Sequence, residues 1–127
     1  MSFETILREI LHECGGGLGI ALMGSDGIPI VQINAEAAGG RPSPLREEIG
    51  TAGIEFARIL AEVQKASDAL QAGALAEILV NLAAFQLLFR RVDEDVILIL
   101  ALAHEGGNPG KARYLVRRHL VALRQEL

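Results

Sequence analysis

The sequence predicts an α+β fold, an α/β/α sandwich built on a five-stranded antiparallel sheet. Three observations lead there. The apolar residues change from helical to strand spacing and back in the order helix, two strands, long helix, three strands, helix. The links between neighbouring strands are of hairpin length, which makes the sheet antiparallel. The last strand, "VILILALA", is apolar on both alternating faces, so helices must cover the sheet above and below.

The first segment, "SFETILREILHE", spaces Phe3, Ile6, Leu7, Ile10 and Leu11 along one helical stripe. Ser2 stands as its cap, and Gly15 to Gly17 end it. "LGIALMG", "SDG" and "IPIVQIN" then read as two strands around an Asp-Gly turn, with Pro29 marking a free edge on the second. "AEAAGGRPSP" is a polar loop punctuated by Gly and Pro.

From Pro44 to about Leu70 the pattern is helical, through Leu45, Ile49, Ala52, Phe56, Leu60, Val63 and Ser67. Ser43 is its expected cap, Pro44 opens the first turn, and Glu47 and Glu48 suit the positive end of the helix. A second row, Gly50, Ile54, Ala57 and Ala61, widens the apolar face. Three strands follow, "ALAEILVNL", "FQLLFRRV" and "VILILALA", joined by "AA" and by the acidic turn "DED". "HEGGNPG" leads into a helix from about Lys111, with Ala112, Val116, Leu120, Leu123 and Leu127 as its inner stripe. No repeat or linker divides the chain, and residues 1–127 are expected to form a single domain.

Half of the 127 residues are hydrophobic and the mean hydropathy is +0.32, while only 4% are aromatic and there is no Trp. An aliphatic core follows, and base-stacking platforms are hard to build, so nucleic acid is not an expected partner. The formal charge of -4 conceals an asymmetry: residues 109–127 hold five of the twelve basic groups (Lys111, Arg113, Arg117, Arg118, Arg124) and only one of the sixteen acidic ones, Glu126. Such polarity suits either a solvated helix face or steering of a charged protein partner. The single cysteine, Cys14, excludes an internal disulfide and fits a reducing compartment. No signal sequence and no apolar run long enough to span a bilayer is evident, so the expected location is the cytoplasm.

The glycines of "CGGGLGIALMGSDG" invite comparison with phosphate-binding loops. Gly17 and Gly19 begin a dinucleotide fingerprint, but Leu22 stands where its third glycine belongs. Gly19 and Gly24 have P-loop spacing, but Ser25 and Asp26 replace the Lys and Ser/Thr. Those loops also run from strand to helix, whereas Gly15 to Gly17 run from helix to strand. "HECGG" and "HEGGN" each lack the second histidine of a zinc helix, and His12 with Cys14 makes too few ligands. Asp93, Glu94 and Asp95 read as a solvated turn. No nucleophile has a base and an orienting acid beside it. The expectation is a protein with no catalytic residue, no metal and no cofactor of its own.

The apolar excess has another outlet. A long helix with two apolar rows beside the strand candidate "ALAEILVNL" is suited to completing its core against a second copy, because an apolar edge strand left open aggregates.

The element order, the turn in "GIALMGSDGIPIV", the long middle helix and the glycine-marked entry "EGGNPGKARYLVRR" together resemble the Roadblock/LC7 domain family in its bacterial type, over nearly the whole chain. That group includes a gliding-polarity protein that accelerates hydrolysis by a Ras-like GTPase without lending an arginine finger. The resemblance implies the long helix on one face of the sheet and the terminal helices on the other. It also implies dimerisation through the middle helix, here residues 44–70, and the third strand, here 74–82. On that basis Ile49, Gly53, Phe56, Leu60, Leu79, Val80 and Asn81 are the expected dimer interface.

The implied function is a dimeric regulator or scaffold that binds a Ras-like small GTPase and modulates its nucleotide cycle or localisation. Two other readings stand beside it. One is an assembly module that binds peptides or a sister Roadblock chain with no effect on GTP turnover. The other is a small-molecule sensor, which requires a deep polar pocket within one subunit. No partner-contacting residue is assigned.

Overall fold

A computed structural model describes residues 2–35 and 49–127; the side chains of residues 49–51 fall outside that description. The elements run α1 (Phe3–Glu13), β1 (Gly17–Gly24), β2 (Pro29–Asn34), α2 (Ile49–Ala69), β3 (Glu77–Asn81), β4 (Gln86–Arg91), β5 (Val96–Leu102) and α3 (Pro109–Glu126). Their order is the one the periodicity predicts. Ser43, Pro44, Leu45, Glu47 and Glu48, expected to open α2, lie outside the described residues.

Local chemistry sets the ends of the elements. Ser2 Oγ accepts the Thr5 amide hydrogen at 3.3 Å, relieving one of the unpaired donors at the start of α1. In the β1–β2 turn, Asp26 Oδ1 accepts from Ile28 N at 3.0 Å, and Gly27 takes φ +87°, a conformation that favours glycine. The last helix starts two residues before the predicted Lys111. Asn108 caps it through Oδ1, which accepts from Lys111 N at 3.1 Å, and Pro109 occupies the first turn.

The five strands form one sheet in the order β2-β1-β5-β4-β3, with every neighbouring pair antiparallel. β5 lies at the centre and is buried at all seven positions, as its two apolar faces require. On one side α1 and α3 cover Ile20, Leu22, Leu88, Leu98, Leu100 and Leu102. On the other, α2 lies over Ala21, Met23, Leu87, Phe89, Ile97 and Ile99. Phe56 of α2 meets Phe89 with ring centroids 4.8 Å apart. His119 Nδ1 bonds Leu115 O at 2.8 Å within α3, while its Nε2 lies 3.5 Å from Glu9 of α1.

Two expectations for α3 need correction. Leu127 is 45% exposed, because the helix has ended at Glu126 and the chain no longer follows the sheet. Leu115, absent from the predicted stripe, is buried beside Ala112 and Val116.

Cys14 is 1% exposed and donates its thiol hydrogen to Leu11 O at 3.4 Å. Burial pushes its pKa above the ordinary thiol value. Thiol-reactive dye is therefore expected to label the folded protein at least about tenfold more slowly than the denatured chain. The raised native pKa also sets a direction for stability. The contribution of this group is full below the ordinary thiol pKa and declines as pH rises through that value toward the raised one. Urea midpoints measured across that alkaline range, with and without Cys14→Ala, check it.

Candidate interaction surface

β3 is the edge strand next to β4, and its two faces have different surroundings. Ile78 and Val80 pack at the margin of the core beneath α2. The alternation of a strand sends Glu77, Leu79 and Asn81 to the opposite face, where Glu77 meets Arg113 of α3. Leu79 is 43% exposed and Asn81 is exposed.

The backbone divides in the same rhythm. Ala76 O accepts from Arg91 N at 3.0 Å, and Leu82 N donates to Phe85 O at 2.9 Å. An antiparallel ladder alternates hydrogen-bonded and non-bonded pairs, so Glu77, Leu79 and Asn81 direct their N–H and C=O groups away from β4. Those groups form an edge at which another strand can add.

A polar brace holds that edge. Gln64 Oε1 of α2 accepts from Leu75 N at 2.8 Å, and its Nε2 donates to Gly73 O at 3.1 Å. Ser67 Oγ donates to the same carbonyl at 2.6 Å. Past the other end of β3, His104 Nε2 bonds Leu82 O at 2.5 Å. On the α3 side, Glu77 pairs with both Arg90, at 3.6 Å, and Arg113. Its carboxylate thus serves two guanidinium groups, and Arg90 Nε is buried without a hydrogen-bond partner. Sequence reading found neither Gln64 nor this trio, since each joins residues far apart in the chain.

The expected interface residues separate into two groups. Leu79 and Asn81 lie on the exposed edge, and Val80 is half-buried beneath α2. Gly53, Phe56 and Leu60 instead face the protomer's own sheet. Phe56 lies on Phe89, and Leu60 is 8% exposed. Gly53 is in backbone contact with the β1–β2 turn: a Cβ on Gly53 would meet Gly27 O at 2.7 Å, and one on Gly27 would meet Gly53 O at 2.7 Å. The side chain of Ile49 lies outside the described residues. The apolar side chains that α2 leaves exposed are Ile54 on one flank and Ile59 and Val63 on the other. Ile54 and Ala61 of the second apolar row point outward, and only Ala57 of its described side chains is buried.

The cavities bear on ligand binding. Between α2 and β3 a space of about 20 Å³, lined by Leu60, Leu75, Ile78 and Phe89, has room for little more than a water. A shallower cleft of about 480 Å³ opens beside Gly15 to Gly17, with Arg8, His12 and Asn34 on its walls. Among the described residues no group of three or more His, Cys, Asp or Glu is placed to hold a metal ion. No helix among them is long and apolar enough to cross a membrane.

A five-stranded antiparallel sheet with one long helix on one face, two terminal helices on the other and an edge formed by its third strand defines a Roadblock/LC7-type domain. The chain has the Roadblock/LC7 fold. It is 31% identical to MglC from Myxococcus xanthus over 100% of both chains, with a TM-score of 0.67. The gliding protein MglB from Thermus thermophilus has a TM-score of 0.81 at 21% identity, covering 97% of this chain and 86% of that one. A Roadblock/LC7 domain from Streptomyces avermitilis has a TM-score of 0.80 at 10% identity, covering 98% and 97%. No family model matches the sequence, and no curated protein does.

Proposed function

We propose that the protein is a dimeric regulator or scaffold that binds a Ras-like small GTPase and modulates its nucleotide cycle or its localisation. The observation that carries this reading is the Roadblock/LC7 fold shared with MglB, together with the likeness to MglC over 100% of both chains; the sequence resemblance to that family implies action on small GTPases. The fold adds a physical rationale for the dimer. Two copies joining their β3 edges across a two-fold axis bring Leu79 near its own counterpart and continue one sheet through both chains. The outward Ile54, Ile59 and Val63 of α2 add apolar area on one face of that sheet.

In this reading the chain has no catalytic residue, and its arginines dock rather than enter the GTPase site. It acts in the cytoplasm as a single domain. The purified protein, mixed with Ras-like GTPases loaded with GDP or a non-hydrolysable GTP analogue, is expected to retain one of them preferentially in one nucleotide state. No retention in either state overturns the proposal. Retention indifferent to the nucleotide overturns modulation of the cycle and leaves an assembly module.

A further inference from the structure

The outer face of α3 has an unusual arrangement for a solvated helix. Its sheet side is filled by Ala112, Leu115, Val116, Leu120 and Leu123. At about 100° per residue, the ridge directly opposite belongs to Tyr114 and Val121, which are 60% and 62% exposed. Arg117 and Arg124 stand on one flank of that ridge, Lys111 and Arg118 on the other, all exposed.

A helix whose outer face only meets water carries its polar groups outermost. Here the outermost position is apolar and the charges stand beside it. Among the described residues, Lys111, Arg117 and Arg118 have no ion-pair partner. Arg113, next to them, shares Glu77 with Arg90, so the positive character continues to β3. Arg124, by contrast, is tied to its own protomer, its Nε donating to Val92 O at 2.5 Å.

We propose that this face docks an acidic amphipathic helix of a protein partner. The partner's apolar positions, one heptad apart, lie on Tyr114 and Val121, and its carboxylates pair with the basic flanks. The seven-residue interval gives the helical form, because it is two turns, the repeat at which one helix lays side chains along another. Charge complementarity gives the acidic character. A protein fits better than an anionic membrane: two apolar side chains are too few to seat a helix in lipid, and fifteen of the sixteen acidic residues lie outside α3. The surface lies across the sheet from α2, and the test below contains no GTPase, so its outcome is read separately from the GTPase reading.

The test uses the full chain and a fluorescent synthetic helical peptide of about 20 residues, with leucine at each heptad position and glutamate on both flanks. Anisotropy is expected to show binding that weakens at least about tenfold with Arg117→Glu/Arg118→Glu, and by as much with Tyr114→Ala/Val121→Ala. About 0.5 M salt is expected to weaken it as well. The same peptide with lysine for glutamate is expected not to bind. Circular dichroism verifies that both double variants remain folded. No binding of the glutamate peptide overturns the proposal. So does binding that Tyr114→Ala/Val121→Ala leaves unchanged, since that is charge attraction alone. Binding to phosphatidylserine vesicles without binding to the peptide overturns it in favour of a membrane surface.

Discussion

Leu79→Lys is expected to convert a two-chain assembly into monomers while the protomer stays folded. The side chain is 43% exposed, so a lysine there reaches water and leaves the core intact. Its backbone groups face away from β4 and would lie at the centre of a β3–β3 pairing. Two lysines would then oppose each other across the axis, the device by which natural edge strands resist pairing. Val80→Lys is expected to behave differently. Val80 packs against the core beneath α2, so its replacement destabilises the protomer too and gives aggregate or unfolded chain. Sedimentation velocity with circular dichroism on both variants distinguishes these outcomes. A stable dimer after both changes places the interface elsewhere.

Gly16→Ala is expected to cost about 2–5 kcal/mol, well above the about 1–2 kcal/mol expected for Gly15→Ala. Both residues have positive φ, +63° for Gly15 and +69° for Gly16, so an alanine is strained at either. They differ in what lies beside them. A Cβ on Gly15 would have Gly106 O at 3.9 Å, whereas one on Gly16 would meet Gly107 N at 2.6 Å and Gly106 C at 2.7 Å. Those obstacles are backbone and cannot rotate away. The loop after β5 would have to move, although Ala103 N donates to Gly16 O at 2.8 Å and ties the two loops together. Thermal melts are expected to fall by roughly 2–8 °C for each kcal/mol lost. Equal losses for the two variants would mean that the close approach contributes nothing.

The elements that sequence reading located best are those whose side chains meet one kind of environment. α1 buries a single stripe, and β5 is enclosed on both faces, so spacing alone identifies both. α2 was harder. Its two apolar rows cover a wide arc, and nothing in that arc says which part turns to the sheet; the contact of Gly53 with Gly27 sets the rotation, between residues 26 positions apart. Spacing alone therefore does not separate Gly53, Phe56 and Leu60, which face the protomer's own sheet, from the outward Ile59. The strand expected over residues 74–82 is regular from Glu77 to Asn81, with hydrogen bonds to the β4 side reaching Ala76 and Leu82, while Gln64 holds Leu75 in the preceding connection. Asn108 before Pro109 was a legible cap that the glycines of "EGGNPG" obscured. The Glu77–Arg90–Arg113 trio had no local pattern at all.

Among the described residues the two borders of the sheet are unlike each other, and under the proposed pairing that would limit how far copies of this chain can polymerise. β2 begins at Pro29, which has no amide hydrogen to offer, and its ladder with β1 slips register between Leu22 and Met23. β3 is regular along its whole length. A molecule with one receptive border and one blunted border stops growing once two receptive borders have met. In the proposed pairing through β3, the end product would be a closed pair and not a fibril.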